Sequence, residues 1–458
     1  MVYIMADDHA CNAISAYGSP LIRTPNIDRI AAQGAMFTQA MVANSICSPS
    51  RATLLTGKYS HKNGVRKLNE TFDGSQQTFP KLLQKAGYQT AIIGKWHLVS
   101  VPTGFDHFSV MEGQGRYDDC PFKQNGADGR VRRVPTKGYV TDVITDQALG
   151  WLKQRDHDRP FCLMIHHKAP HGPHHPAPRH KNLFQADTLP EPPTLLDDYV
   201  GRAPAAMADR LDWSRLLLCD RPYVQYRATG RQRTGDRADD TRMMYQAFMK
   251  GYLRLVAALD ENVGRVLDYL EESGLSGNTL VIYASDNGFF NGEHGFYNKM
   301  WMYEPSLKIP LIIKGPGVKA GSKPDEFAAM MDVAPTLLDF AGCGIPEDVQ
   351  GRTLRPLLEG KGGSLRDAFY YHHYGSADVA PPEIVGVRTR THKLVCYPSL
   401  EEKYRWELFD LKEDPKEMHN LYGLDEHRRI VTELKARLQS LIRQYEDTVS
   451  LEPSAERQ

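Results

Sequence analysis

Three carboxylates and an amide close two apolar runs of the chain. Asp7-Asp8 follow the run 2–6, and Ser285-Asp286-Asn287-Gly288 follow the run 280–284. Apolar runs of this length read as buried strands, and open α/β sheets bind their ligands beyond the carboxyl ends of such strands. Neighbouring side chains on a strand point to opposite faces, so Asp7 and Asp8 converge only if the chain bends immediately after them. Converging carboxylates repel unless positive charge lies between them. Either pair alone reads as a solvated strand end. Together, three carboxylates and an amide oxygen suit a hard divalent cation, Ca2+ or Mg2+ rather than Zn2+.

A nucleophile candidate lies in the stretch 44–57, Asn-Ser-Ile-Cys-Ser-Pro-Ser-Arg-Ala-Thr-Leu-Leu-Thr-Gly. Ser48 has the chemistry of an N-cap, Pro49 of a first helical residue and Gly57 of a C-terminal stop. Cys47 is therefore expected just before a helix N-terminus, where the dipole and free N–H groups favour anions. Arg51 falls one turn in and can point back to the same place. Read alone, Cys47 is either a thiolate of depressed pKa or a buried, inert cysteine.

The elements around these residues alternate through about residue 345. The runs 2–6, 90–93, 161–165, 280–284 and 309–313 read as strands. Helices open at Thr24-Pro25, Thr78-Phe79-Pro80 and Asp332-Val333-Ala334-Pro335 and close at Gly34, Gly87 and Gly342; a long amphipathic helix spans about 241–272. This alternation predicts an α/β fold with a large, mostly parallel sheet covered on both faces. Beyond about 365, runs at 369–374, 384–388, 393–397 and 406–411 and a helix at about 425–445 predict a small antiparallel sheet with one helix. The expected division is 1–360 for the catalytic part and 361–458 for the C-terminal part. Residues 168–240, rich in Pro, Arg and His, read either as a solvated excursion or as an active-site rim.

Cys47-Ser48-Pro49-Ser50-Arg51 with the Leu55-Thr56-Gly57 ending resembles the C-x-P-x-R signature of the formylglycine-dependent sulfatases. Ala6-Asp7-Asp8 and Ser285-Asp286-Asn287-Gly288 resemble that family's two metal pairs. Gly94-Lys95-Trp96-His97 resembles its GKWH element, and Lys168-Ala169-Pro170-His171-Gly172-Pro173 its PH-x-P segment. Gly292-Glu293-His294-Gly295 with Lys299, Tyr303 and Glu304, and the tail from Glu407-Leu408-Phe409-Asp410 to Asn420-Leu421, follow in the family's order. A chance match to one short motif is easy; a whole series of them in the family's order is not.

The resemblance implies an alkaline-phosphatase-like sandwich and removal of sulfate from a sulfated carbohydrate of glycosaminoglycan type. It implies that a formylglycine-generating enzyme oxidises Cys47 to Cα-formylglycine, a covalent change the sequence cannot display. It places Ca2+, with Mg2+ as the alternative, on Asp7, Asp8, residue 47, Asp286 and Asn287. Arg51, Lys95 and Lys299 then neutralise a sulfate ester that already carries negative charge. The hydrated aldehyde is the implied nucleophile, through a covalent sulfo-enzyme intermediate. His171 is the implied acid to the leaving oxygen and His97 the base for the second step. His174, His175 and His294 are expected to contact substrate. Within 166–180 lie six of the 17 histidines, at a spacing that matches no standard zinc or copper set. His61, His372 and His373 are expected to be structural.

Composition narrows the classes. The 458 residues carry 56 Lys+Arg against 56 Asp+Glu, which argues against a dedicated nucleic-acid binder. No apolar run approaches the roughly 20 residues of a membrane-spanning helix. Seven cysteines without a CxxC predict at most one disulfide. No basic segment precedes the first apolar run, so the sequence as written reads as cytoplasmic; a start placed just after a removed signal peptide would make it periplasmic or secreted. The rival expectations are a phosphonate or phosphate monoester hydrolase of the same superfamily and an unmodified glycan-binding pseudoenzyme.

Overall fold

The structure, a computed structural model, describes residues 1–126, 128–207, 234–375 and 381–452. The larger sheet has nine strands. In chain order they are β1 (Val2–Asp7), β2 (Ala35–Met36), β4 (Gln89–Gly94), β5 (His107–Met111), β6 (Phe122–Asn125), β7 (Val131–Val134), β8 (Phe161–Pro170), β9 (Val281–Ser285) and β10 (Leu311–Lys314); β3 (Ala40–Met41) pairs apart from it with β11 (Ala328–Ala329). Their spatial order is β2-β10-β9-β1-β8-β4-β5-β6-β7. The five central strands run parallel, and antiparallel strands finish both edges.

β1 shows why the centre is double-faced. It is buried along its whole length, so its apolar residues are continuous and the pleat divides them. Tyr3 and Met5 enter a core with helix α2 (Cys47–Thr56) and α5 (Val333–Phe340). Val2, Ile4 and Ala6 enter a second core with α1 (Pro25–Gln33), α3 (Val140–Gln154) and the long α4 (Arg237–Glu272). The expected strands and helices stand at these places. The hairpin β6–β7 and helix α3 were not legible, because β7 is exposed and charge-rich and α3 has no side-chain N-cap.

The C-terminal part is the expected small sheet: β12 (Ala368–Tyr374), β13 (Glu383–Thr389), β14 (His392–Cys396) and β15 (Trp406–Asp410) form an antiparallel meander covered by α6 (Arg428–Gln444). It packs on Phe290, Trp301 and Tyr303 of the loops that follow β9, so one apolar cluster joins the two parts. Within 168–240, residues 208–233 lie outside the described residues, as does Cys219. The other six cysteines are free. No helix among the described residues is long and apolar enough to cross a membrane.

Candidate active site

The carboxyl ends of β1, β4, β8 and β9 converge on α2. The register of β1 against β8 shifts between Met5 and Asp7, and Asp8 takes a left-handed φ of 69°. This is the bend that lets both carboxylates face one point. β9 delivers Asp286 and Asn287, and the Asp286 N–H donates to the carbonyl of Ala6 across the β1–β9 ladder. β4 ends at Gly94, whose φ is 112° and whose missing Cβ would stand 1.9 Å from the His166 carbonyl oxygen. Only glycine lets the chain turn there and carry Lys95 into the site.

The helix α2 starts earlier than expected. Its first residue is Cys47 and its N-cap is Ile46, without a side-chain cap; Gly57 closes it at φ 67°. Ser48 is not the cap because its hydroxyl donates instead to the His97 carbonyl at 2.7 Å. Cys47 Sγ therefore projects from the first turn. It lies 3.4 Å from Asp7 Oδ1 and 3.1 Å from Lys299 Nζ. Ligand atoms of Asp7, Asp8, Cys47 and Asp286, all buried, lie within 4.8 Å of one another.

Each carboxylate has a basic partner. Lys95 is ion-paired to Asp7 and Lys299 to Asp8. Arg51 donates from Nε and Nη2 to Asp286 Oδ2 at 3.0 and 2.8 Å, and from Nη1 to the Lys95 carbonyl at 2.8 Å. Burial opposes ionisation of Asp7, but Lys95, His171, Arg51 and Lys299 hold its carboxyl well below the usual range. Asp286 goes the other way: burial and the charge of Asp7 push it up to about 7. The repulsion among three buried carboxylates this close falls on Asp286.

The donor set fits a divalent cation on a second observation. Asn287 Nδ2 donates to Asp8 Oδ1 at 2.7 Å and to the Gly288 carbonyl at 2.8 Å, which fixes the amide. Its Oδ1 is buried and accepts from nothing. A bare amide oxygen beside three carboxylates is what a hard cation takes as a ligand.

Residues 1–343 match the Sulfatase family, and residues 292–444 match the C-terminal part of N-sulphoglucosamine sulphohydrolase. The chain belongs to the sulfatase family. It is similar to the N-acetylglucosamine-6-O-sulfatase of Bacteroides thetaiotaomicron, at 43% identity over 98% of this chain and 87% of that protein. A solved structure described as a complex with its substrate, D-glucosamine-2-N,6-O-disulfate, superimposes with a TM-score of 0.89 at 41% identity, over 99% of both chains. The phosphonate monoester hydrolase of Agrobacterium radiobacter, at 22% identity and TM-score 0.78 over 97% of this chain and 95% of that one, shares the alkaline-phosphatase-like fold.

The remaining residues of this sulfatase sort by distance from the cluster. His171 Nε2 lies 3.7 Å from Asp8 Oδ2, while its Nδ1 bonds the Gly172 carbonyl at 2.7 Å. Because a carbonyl only accepts, that contact places the proton on Nδ1 and aims Nε2 at the cluster. With only the chain's own groups around it, burial lowers His171 to about 4. Burial with Lys95 and Arg51 lowers His97 to about 2, so its imidazole is neutral. Burial raises the Cys47 thiol to about 12, against Lys299 and Lys95, which favours the buried, protonated alternative weighed from the sequence over the thiolate.

The three histidines expected at the substrate are not alike. His175 has its side chain 52% exposed, 4.0 Å from Asp118. His174 is buried with its ring edge-on to Phe248 and Tyr252, behind the surface rather than on it. His294, also buried and at φ 53°, donates from Nδ1 to Asp197 Oδ2 at 2.8 Å, with Arg202 Nη1 3.3 Å from the same nitrogen. His372 sits between Asp447 and Glu383, and His373 bonds Asn44 Oδ1 at 2.9 Å, so the expected structural roles hold for both. Sequence reasoning missed Gln114, whose Oε1 accepts from Lys95 Nζ at 2.6 Å. A lone glutamine between two glycines gives no signal in sequence; only the loop's approach to β4 reveals it.

Proposed function

We propose that this sulfatase removes the 6-O-sulfate of glucosamine-type sugars from sulfated glycosaminoglycan fragments. In this reading Cys47 is oxidised to formylglycine by a formylglycine-generating enzyme, and Ca2+ or Mg2+ is held by Asp7, Asp8, Asp286 and Asn287. The observation that carries it is the placing of the Cys47 side chain within the same buried cluster as the three carboxylates. The choice of sugar rests on the likeness to the N-acetylglucosamine-6-O-sulfatase. The protonated, buried thiol also favours the reading, because an unoxidised Cys47 is a poor nucleophile.

When present, the cation and the hydrated aldehyde supply charge neutralisation and the attacking oxygen. The chain's own groups do the rest. Lys299, between Asp8 and residue 47, holds positive charge where negative charge develops on that side chain. Arg51, locked on Asp286 and the Lys95 carbonyl, keeps the ligand carboxylate in place. His171, with Nδ1 committed to Gly172, presents Nε2 to the leaving sugar oxygen; the negative charge of a sulfate ester favours its protonated form. His97, its backbone carbonyl held by Ser48, is neutral and has a ring lone pair for the proton of the second step, and the negative charge of sulfate in the site offsets the burial and cations that lower its basicity.

The test is release of sulfate from N-acetylglucosamine 6-O-sulfate and glucosamine-2-N,6-O-disulfate by protein produced with and without a formylglycine-generating enzyme. Activity only in the first preparation is expected. Equal rates on sulfate and phosphonate esters of one aryl alcohol would instead favour the phosphonate hydrolase reading.

A further inference from the structure

Every carboxylate of the site has a cation of its own, Asp7 with Lys95, Asp8 with Lys299 and Asp286 with Arg51, and Arg51 also lies 3.7 Å from Asp7. One more cation stands among them. Lys168, near the end of β8, is 1% exposed. An ammonium carries three N–H donors. Lys168 Nζ uses one, on the Gly172 carbonyl at 3.2 Å, and lies 5.2 Å from the centroid of the Tyr117 ring. Among the described residues it has no carboxylate within ion-pair distance.

Its neighbours tie it to the reacting groups. The Gly172 carbonyl that accepts from Lys168 also accepts from His171 Nδ1. The Tyr117 hydroxyl beneath it donates to the His171 carbonyl at 2.6 Å. So the ammonium and the imidazole share the Gly172 carbonyl, and Tyr117 touches both residues, the ammonium through its ring and the His171 backbone through its hydroxyl. A buried, unpaired charge opposes folding, and is retained where something outside the chain completes it. Burial and Lys95 bring Lys168 down to about 8, while Asp7, Asp8 and Cys47 pull the other way, so it feels the reacting cluster and stays mostly charged near neutrality.

We propose that Lys168 is a substrate-binding cation, whose ammonium takes an anionic sulfo oxygen of the bound saccharide. This rests on the proposed reading of the site as one for a sulfated sugar. Two sources offer that chemistry: the ester being cleaved, or a second sulfo group on the same sugar.

The experiment compares wild type with Lys168→Met, which keeps the length and drops the charge, and with Lys168→Arg, which keeps the charge. Inorganic sulfate is the first probe, read as inhibition of aryl sulfate hydrolysis and as the shift it causes in melting temperature. Loss of one charge-assisted hydrogen bond weakens binding about tenfold. If Lys168 holds the ester, Lys168→Met loses that factor for inorganic sulfate and Lys168→Arg recovers part of it. If it holds a second group, inorganic sulfate is unaffected, and Lys168→Met instead loses about tenfold in KM for glucosamine-2-N,6-O-disulfate but not for glucosamine 6-O-sulfate. Without sulfate, the Met variant is expected to melt no lower than wild type. Values for Lys168→Met within about twofold of wild type on every probe overturn the proposal. A wild type that neither binds inorganic sulfate nor turns over either sugar overturns the functional reading instead.

Discussion

At the scale of single residues, the site is an argument about charge. Three buried carboxylates are tolerable because each has a basic partner, and the residual strain shows at Asp286, lifted to about 7. For an acid raised in the folded state, ionisation opposes folding. Metal-free protein should therefore lose stability as pH rises from the usual carboxylate range through about 7, and added Ca2+ should cancel that loss. Urea unfolding in chelator at pH 5 and pH 8 measures it; a metal-free protein more stable at the higher pH would contradict it. Asp286→Ala removes the crowding and a ligand together, so bound metal should vanish on elemental analysis along with activity. Cys47→Ala removes only the proposed nucleophile. Sulfate release should fall at least about a thousandfold while melting stays close to wild type, as expected when the covalent route is lost. His171→Ala should slow sugar sulfates, whose leaving groups need a proton, by about a hundredfold or more, and activated aryl sulfates far less. Equal losses on both would remove His171 as the acid.

At the scale of elements, the backbone explains why these side chains meet. Asp7 and Asp8 were legible as members of one carboxylate cluster only in company with Asp286 and Asn287, and the condition set by the pleat, a bend at the strand end, is met by the left-handed Asp8. The Cys47 helix was legible from Pro49 and Gly57, but its start was not. The sequence cannot show that the Ser48 hydroxyl is claimed by His97 across the site. Likewise nothing local reveals that Asp197 and Arg202, on the arginine-rich excursion, clasp His294 of the loop that follows Asn287. Arg202 is ion-paired to Asp197, the Tyr199 hydroxyl donates to the His294 carbonyl at 2.7 Å, and the Thr194 hydroxyl receives the His294 N–H at 2.9 Å. Such contacts span about a hundred residues of sequence and belong to tertiary structure alone. The excursion is thus pinned to the catalytic loop rather than solvated at this end. Arg202→Ala leaves the buried Asp197 with only His294 and the Tyr199 N–H as partners, so it should cost about 2–3 kcal/mol, readable as a lowered urea midpoint.

At the scale of the whole molecule, the C-terminal sheet is fastened to the surroundings of the Cys47 helix at a polar point besides the apolar cluster. His372 of β12 bonds Asp447 through Nδ1 at 2.8 Å and Glu383 through Nε2 at 3.0 Å. Asp447 also takes the Tyr370 hydroxyl at 2.9 Å and lies 3.1 Å from His61, just beyond the Cys47 helix. The next residue of β12, His373, reaches Asn44 at the entry to that helix. Both nitrogens of His372 face carboxylates. Burial disfavours its charge, but the hydrogen bonds to Asp447 and Glu383 prevail and raise its pKa above the usual value. A histidine raised in the folded state adds stability that is complete below its unfolded value, near 6.5, and fades as pH climbs through the folded one. Asp447→Asn should therefore destabilise the protein most at pH 6 and progressively less toward pH 9. Urea midpoints of wild type and variant across that range give the comparison. A gap that stays constant with pH would mean His372 is neutral and that the fastening depends on packing, with Trp301 and Tyr303 against the small sheet carrying it.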